Sequence, residues 1–399
     1  MTQMMGSFEK RLLLICTHPQ QYTGYSKVVY NLLNVGCKMY PNILFIVYGF
    51  QKHNLNHRTI ESKNVVLYDA AKAEGVPNGF GVENIGDIVK MTTPDVIWIY
   101  NDAYVISNFL KQIIGKTLES TKIALYFDQV YPFTRPEYRD MFNKHVHHMF
   151  CFTESWEAEI KRQGIKCETS VMHHGFNITK TNSFVSRKKL GLPEKAFLIL
   201  NLNRNQPRKR WDVCVMSFVE FMKSQPETPV FLIVGTSNEG AWNIRDIFND
   251  VCMRELVTFS YDPLLFVQNP QLMSDEVVTD LYNATDVGLN TCDGEGYGLC
   301  NIEQAAVGKP QVVSNLGGLK DLLGNTPGHE LIDPVAHYYV DNTRDAIGGR
   351  GGILDPKEVA TGLKRVYDRW REGNTTVDSP SLCSWEDMVT HMVETLQMV

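Results

Sequence analysis

The chain has 399 residues, two to three times the usual length of one domain, and this length predicts two domains. Hydrophobic residues make up 43% and charged residues 21% of the sequence, which indicates a packed core and excludes a wholly disordered or fibrous chain. The 39 basic residues are outnumbered by 45 acidic ones, and the formal charge of −6 argues against nucleic acid as the main partner. Any phosphate that binds must therefore meet locally concentrated positive charge.

The cysteines and the N-terminal segment indicate the compartment. The nine cysteines are odd in number and form no C-x2-C pair, which favours reduced thiols over a disulfide framework or a zinc site. The apolar run near the N-terminus is too short to span a membrane, and no small-residue cleavage site follows it. We therefore expect a cytoplasmic protein with no membrane span.

The first half of the chain alternates short apolar runs with longer amphipathic stretches, a pattern typical of βαβ units. Several runs are apolar almost throughout, as strands covered on both faces must be, so we predict a mostly parallel, doubly wound sheet. The predicted strands span residues 11–16, 43–48, 65–68, 96–100, 123–127 and 149–153. The predicted helices span residues 25–35, 103–114, 136–147 and 155–162.

A polar stretch at residues 175–196 lacks a clear apolar period and is typical of a link between domains. It places the domain boundary near residue 185, which gives domains at 1–185 and 186–380. The alternation then restarts, with strands predicted at 197–202, 230–234, 257–260, 287–290 and 311–314. Helices are predicted near 211–223, 243–254, 275–284, 299–308 and 356–371. The last segment, 381–399, contains one more amphipathic helix, which we expect to cross back and pack on the first domain.

A glycine-rich loop follows the strand predicted at 287–290. Three glycines lie between Cys292 and Leu299, where a helix begins whose N–H groups point back at the loop. Glu295 and Glu303 are eight residues apart, so both carboxylates can face one ligand from different depths. The alternative is an ordinary glycine turn with Glu303 as a solvated helix residue.

A basic loop, NLNRNQPRKRWD, occupies residues 201–212 after another predicted strand. Arg204, Arg208, Lys209 and Arg210 place four cations within seven residues, which favours a compact phosphate site. The alternative is a solvated basic turn. The position at the end of a strand favours the phosphate site.

These two loops carry a resemblance to a known family. EGYGLCNIEQAAVGKP, residues 295–310, resembles the E-x7-E block of retaining glycosyltransferases of the GT-B fold, family four. NRNQPRKRWD resembles the Arg and Lys segment of that family, and the flanking stretches 274–292 and 351–363 resemble its neighbouring segments. The resemblance covers most of the second domain. It implies an α/β protein of the GT-B fold, with two Rossmann-like domains facing a central cleft.

The resemblance also implies residue roles in the second domain. Arg204 and Lys209 match the pair that neutralises the donor diphosphate and stabilises the departing nucleoside diphosphate. No metal and no tightly bound cofactor are therefore expected. Glu295 matches the glutamate near the hydroxyls of the donor sugar, and Glu303 matches the one that holds the ribose hydroxyls. Backbone contacts to the sugar and phosphates are expected from Gly296, Tyr297, Gly298 and Leu299.

The resemblance in the first domain is lower. Gly24 and Tyr25 match the first strand-to-helix glycine loop, which lies under the donor phosphates and sugar in the family. Asp128 falls where many members carry a histidine close to the reacting carbon, so a carboxylate is expected to orient or deprotonate the acceptor. Asn101 and Asp102 either border the acceptor cleft or cap the next helix.

The sequence thus predicts a retaining, metal-independent glycosyltransferase. It would move a hexose from a nucleotide sugar, either GDP-mannose or UDP-glucose, to a hydroxyl of a glycan or another acceptor, by a front-face mechanism. The sequence leaves two alternative functions open. One is a sugar-nucleotide-binding protein without catalytic activity, which the missing histidine favours; the other is a sugar-nucleotide epimerase or a phosphorylase that shares the fold.

Overall fold

The computed structural model describes residues 8–52, 58–74, 79–132, 135–224, 226–267, 273–341 and 348–398. The chain divides into two compact units. The first comprises Met1–Asn177, Asp345–Gly348 and Cys383–Val399, and the second comprises Ile178–Arg344 and Gly349–Leu382. The second unit thus begins before residue 185, where the boundary was expected.

The first unit is built on a seven-stranded sheet in which every neighbouring pair is parallel. The strands are β1 (Lys10–Thr17), β2 (Ile43–Phe50), β3 (Val65–Asp69), β4 (Val96–Asn101), β5 (Lys122–Phe127), β6 (His148–Cys151) and β7 (Glu168–Val171). Their order is β3-β2-β1-β4-β5-β6-β7. All eight residues of β2 are buried, as expected for a strand with both faces covered.

Polar caps and apolar faces define the helices around this sheet. The helices are α1 (Gly24–Met39), α2 (Ala70–Glu74), α3 (Ile85–Thr92), α4 (Ala103–Ile113), α5 (Pro136–His145) and α6 (Glu154–Arg162), and a 3-10 turn spans Val82–Asn84. The hydroxyl oxygen of Thr23 accepts a hydrogen bond from the backbone N–H of Ser26 at 3.1 Å and so caps α1. The predicted helices of this unit are present, and α1 extends beyond the predicted end at residue 35.

The second unit contains a six-stranded parallel sheet and an antiparallel pair. The strands are β8 (Phe197–Asn201), β9 (Val230–Val234), β10 (Leu264–Phe266), β11 (Val287–Asn290), β12 (Gln311–Ser314), β13 (Glu330–Ile332), β14 (Ala336–Tyr339) and β15 (Arg350–Ile353). The sheet order is β10-β9-β8-β11-β12-β13, and β14 pairs with β15.

One predicted strand of this unit is wrong. Residues 257–260 are described and form no strand; β10 pairs with β9 instead, through Leu264 opposite Leu232. Val257 and Phe259 nevertheless pack against the hydrophobic core. Their alternating pattern therefore reflects burial of two side chains from an irregular segment rather than backbone pairing.

Helices surround the second sheet. They are α7 (Ser183–Leu190), α8 (Trp211–Met222), α9 (Ile244–Glu255), α10 (Asp275–Ala284), α11 (Leu299–Ala306), α12 (Gly317–Leu323) and α13 (Pro356–Arg371). The expected boundary at residue 185 falls inside α7, a helix that the sequence pattern did not predict. Within the described ranges, no helix combines the length and apolarity that a bilayer crossing requires.

The last helix, α14 (Trp385–Thr395), packs against α1 of the first unit, as predicted for the C-terminal segment. Ser384 and Asp387 form a capping box that fixes its start. Before it, Cys383 forms a backbone bridge with Gly175. A side chain at Gly175 would bring a Cβ atom within 2.5 Å of the Trp385 ring, so a glycine is required for this close approach.

Candidate functional site

Two loops meet where the strand order of the second sheet reverses. Going outward from β8, the chain proceeds through β9 and β10 on one side, while β11 lies on the other, so β8 and β11 form the topological switch point. Ligands of open α/β sheets bind outside the carboxyl ends of the strands at this point. The basic loop follows β8 and the glycine loop follows β11. The backbone N–H of Asp293 donates to the carbonyl oxygen of Arg208 at 3.0 Å and joins the two loops directly.

A buried charged cluster lies at this junction. Lys209 Nζ contacts Glu295 Oε2, and both residues are less than one tenth exposed. Arg208 Nη1 lies 3.4 Å from Glu295 Oε1 and donates to the carbonyl oxygen of Gly294 at 3.2 Å. The Asn290 amide, at the end of β11, lies 3.5 Å from Glu295 Oε2. One carboxylate is therefore held by two cations and one amide. We call these four residues the Glu295 cluster: Arg208, Lys209, Asn290 and Glu295.

The cluster keeps Glu295 ionised. Burial is the largest influence on the pKa of Glu295 and acts to raise it. The charges of Lys209 and Arg208, with hydrogen bonds from Lys209 and Asn290, outweigh burial and lower the pKa from 4.5 to about 2. A carboxylate with so low a pKa accepts hydrogen bonds well but is a weak base.

The second glutamate of the E-x7-E pattern is also buried. Glu303 lies one turn into α11 and is 3% exposed, so it is not the solvated residue of the alternative interpretation. The hydroxyl group of Tyr282 donates to Glu303 Oε2 at 3.0 Å. Burial, followed by the charges of Cys300 and Glu303, raises the pKa of Tyr282 well above its usual value, so this hydroxyl remains a donor. The carboxylate of Glu303 is thereby held in a fixed orientation.

The glycine loop runs closely past its neighbours. Gly298 precedes α11 with φ of 81°, and a Cβ atom there would lie 2.3 Å from a methyl group of Leu319. A Cβ atom at Gly318 would lie 2.4 Å from the carbonyl oxygen of Gly296. These glycines let the loop pack closely against residues 318 and 319, and the N-terminus of α11 that follows the loop is a position suited to anionic groups. Of the four predicted backbone-contact residues, Gly296, Tyr297 and Gly298 lie in this loop, and Leu299 begins α11.

The four predicted cations of the basic loop differ in placement. Lys209 is buried in the Glu295 cluster, whereas the side chain of Arg204 is exposed. Arg210 forms a bidentate pair with Asp212, at 2.9 and 2.8 Å. Arg208, which the sequence assigned only supporting charge, contacts Glu295 directly. Lys209 ends the short 3-10 turn Pro207–Lys209 and is the buried residue of that turn.

In the first unit the corresponding switch point lies between β1 and β4, and candidate residues follow these strands and β5. Helix α1 begins at Gly24, and the Tyr25 hydroxyl donates to Asp128 Oδ2. The Tyr25 ring packs against Tyr100, with centroids 4.8 Å apart. Burial, and then the charge of Asp128, raises the pKa of Tyr25 well above its usual value. The structure therefore brings Tyr25 and Asp128 together as a donor and an acceptor.

Asp102 is a capping residue, and Asn101 is the last residue of β4. The side chain of Asp102 accepts from the backbone N–H of Val105 at 3.0 Å and begins α4. The side-chain oxygen of Asn101 accepts from the backbone N–H of Asp102 at 3.0 Å. The capping interpretation holds for Asp102, while Asn101 contacts the backbone of the cap residue.

Sequence reasoning missed the buried amides that support the glycine loop. Asn290 donates to Asn301 Oδ1, and Asn301 donates to Gln311 Oε1, each at 2.9 Å. The backbone N–H of Cys292 donates to Asn290 Oδ1 at 3.0 Å. The available signal was the position of Asn290 as the last residue of an otherwise apolar strand, where a buried amide needs partners.

No protein-family model matches the chain. It is 28% identical over 196 residues to the D-inositol 3-phosphate glycosyltransferase of Acidothermus cellulolyticus, a match that covers 47% of this chain and 39% of that protein. The chain thus spans about two fifths of the length of this curated relative.

Two solved structures resemble the whole chain. HepE of Anabaena, in complex with UDP and glucose, has a TM-score of 0.67 at 14% identity and covers 98% of this chain and 100% of its own. Sucrose-phosphate synthase of Thermosynechococcus elongatus has a TM-score of 0.70 at 14% identity and covers 98% and 99%. Together with the two parallel-sheet units, this likeness confirms the predicted GT-B fold.

Proposed function

We propose that the chain is a glycosyltransferase that moves a hexose from a nucleotide sugar to a hydroxyl group of an acceptor, with retention of configuration. The observation that carries the proposal is the Glu295 cluster at the switch point of the second sheet, with Glu303 buried beside the same loop. The name of the related glycosyltransferase and the fold shared with the two solved structures support it.

The donor diphosphate is proposed to bind Lys209 and Arg204. Positive charge placed where the leaving phosphate develops negative charge stabilises the transition state, so the chain's own cations would serve in place of a metal ion. The N-terminus of α11 would add backbone N–H groups through the glycine loop. The ribose hydroxyls would donate to Glu303, whose orientation is fixed by Tyr282.

UDP-glucose is the first donor to test. HepE, which shares the fold, was solved with UDP and glucose and also with UDP-glucose. GDP-mannose remains the second choice. The nucleotide base is usually recognised by backbone groups, so the sequence does not distinguish uracil from guanine. The acceptor is proposed to be a glycan or another molecule that presents a hydroxyl group.

A front-face reaction fits the properties of Glu295. Its pKa of about 2 and its pairing with Lys209 and Arg208 make it a poor nucleophile and a poor base. In the proposed reaction, the bond from the anomeric carbon to the donor phosphate breaks as the acceptor oxygen bonds to the same face of that carbon. The acceptor proton passes to the leaving phosphate oxygen. In the first unit, Asp128, held by Tyr25, would orient the acceptor hydroxyl.

The proposal is tested by ligand binding and then by turnover. Because a ligand that binds only the folded state raises the unfolding midpoint, UDP, GDP, UDP-glucose and GDP-mannose should be compared in a thermal-shift titration. At least one nucleoside diphosphate should stabilise the chain, and the matching nucleotide sugar should be consumed with a hydroxyl acceptor. A chain that binds a nucleotide but never transfers or hydrolyses its sugar would instead be a binding protein. A chain that binds none of the four would contradict the proposal.

A further inference from the structure

Glu295 is an unexpected neighbour for a diphosphate. Its carboxylate is the direct partner of Lys209 and lies 3.4 Å from Arg208, two of the cations in the basic loop. Glu295 is 6% exposed and Lys209 is 7% exposed, so solvent screens their charges little. A diphosphate that approaches Lys209 must therefore share the cation with a fixed negative charge.

The donor and the product differ in their charge at this position. In a nucleotide sugar the terminal phosphate is esterified, whereas in a free nucleoside diphosphate it has a second ionisation near about pH 6. The product therefore carries almost one extra negative charge at neutral pH. It also lacks the sugar hydroxyl groups, which can donate hydrogen bonds to a carboxylate.

We propose that Glu295 discriminates the nucleotide sugar from the free nucleoside diphosphate, an inference that rests on the proposed function. When the nucleotide sugar is bound, the carboxylate accepts hydrogen bonds from the sugar hydroxyl groups. When the product is bound, the same carboxylate faces an additional oxyanion in place of the sugar hydroxyl groups and competes with it for Lys209. Glu295 thus weakens the binding of the product and favours its release after transfer.

Glu303 provides the matched comparison within the same helix and loop. It is buried like Glu295, and its carboxylate accepts a hydrogen bond from the Tyr282 hydroxyl group. Its proposed ligand is the ribose, which the donor and the product share. Loss of Glu303 should therefore weaken both ligands by a similar factor.

The experiment is isothermal titration calorimetry of the full chain and two isosteric variants, Glu295→Gln and Glu303→Gln, with UDP and UDP-glucose at neutral pH. GDP and GDP-mannose replace these probes if the wild type binds guanine nucleotides instead. For Glu295→Gln, we expect UDP to bind about tenfold more tightly, because one buried negative charge is removed. UDP-glucose should bind no more tightly than before. For Glu303→Gln, both ligands should bind more weakly, with their affinity ratio unchanged.

The outcomes separate this inference from the proposed function. If Glu295→Gln weakens UDP and UDP-glucose by the same factor, or leaves UDP binding unchanged, the discriminating role is wrong while the donor site remains. If the wild type binds none of the four nucleotides, the proposed function fails and the inference fails with it. Should Glu295→Gln not fold, Glu295→Ala removes the same charge and must likewise favour UDP over UDP-glucose relative to the wild type.

Discussion

Replacing Lys209 with methionine would leave Glu295 buried without its main cation. The aliphatic part of the side chain is retained, so packing against the loop changes little. Arg208 at 3.4 Å and Asn290 at 3.5 Å would remain as the nearest partners of the carboxylate. The free energy of unfolding should therefore fall, because the folded state no longer favours the ionised form of Glu295 as strongly.

The magnitude follows from the pKa of Glu295. Its value is lowered from 4.5 to about 2, and this difference corresponds to about 3 kcal/mol of stability at neutral pH. Without Lys209, burial would be opposed only by Arg208 and Asn290, so most of this stabilisation should be lost, and we expect Lys209→Met to cost about 3 kcal/mol. Breaking a buried ion pair by removing one partner costs about 3 to 5 kcal/mol in other proteins, which agrees in size.

The pH dependence has a defined sign. A carboxylate whose pKa is lower in the folded state contributes its full stability above its unfolded pKa and loses it as the pH falls toward the folded pKa. The difference between the wild type and Lys209→Met should therefore be constant above about pH 5.5. Below about pH 4.5 it should shrink by about 1.4 kcal/mol for each pH unit.

Urea unfolding at about pH 7 and about pH 3.5 measures this difference. The control is Arg371→Met, which removes an exposed ion pair with Glu227 at 2.9 Å and should not change the midpoint measurably. The reasoning is refuted if Lys209→Met has wild-type stability at about pH 7, or if its deficit is equally large at both pH values.

Two further variants test other buried contacts. Arg187→Met removes the cation that donates to Asp286 Oδ2 at 2.6 Å in the core of the second unit. The free energy of unfolding in urea should fall by about 3 to 5 kcal/mol. A decrease below about 1 kcal/mol would contradict a structural role for this pair. Tyr25→Phe removes the hydroxyl that donates to Asp128, and kcat for transfer should fall about tenfold with the donor KM unchanged. Tyr30→Phe, on the same helix, is its control, and an equal loss in both variants would count against the pairing.

The sequence pattern predicted the two sheets because their strands are nearly all apolar. Runs such as Ile43–Phe50 are recognisable without knowledge of their neighbours, since a parallel strand is buried on both faces. The wrong predictions concern segments in which the burial of side chains does not match the backbone structure. Val257 and Phe259 are packed into the core without forming a strand, and Ser183–Leu190 forms a helix of which few residues are buried.

The candidate site was predicted in outline because both loops follow strands. Their contact depends on β8 and β11 being neighbours, and strand order cannot be read from periodicity alone. The structure distinguishes the cations of the basic loop, since Lys209 is buried at the end of the turn Pro207–Lys209 and Arg204, before the turn, is exposed. Such a choice is made by local backbone geometry, which the presence of four cations within seven residues does not reveal.

The net charge of −6 and the proposed diphosphate site are compatible because the charge at the candidate site is arranged locally. A buried cation without a partner would be too costly, so Lys209 needs a carboxylate close by in the absence of substrate contacts. That requirement places a negative charge beside the proposed phosphate position, where it opposes the binding of a free nucleoside diphosphate. In the proposed enzyme, the same carboxylate that makes the buried lysine tolerable would also limit product affinity, so stability and turnover would both depend on Glu295.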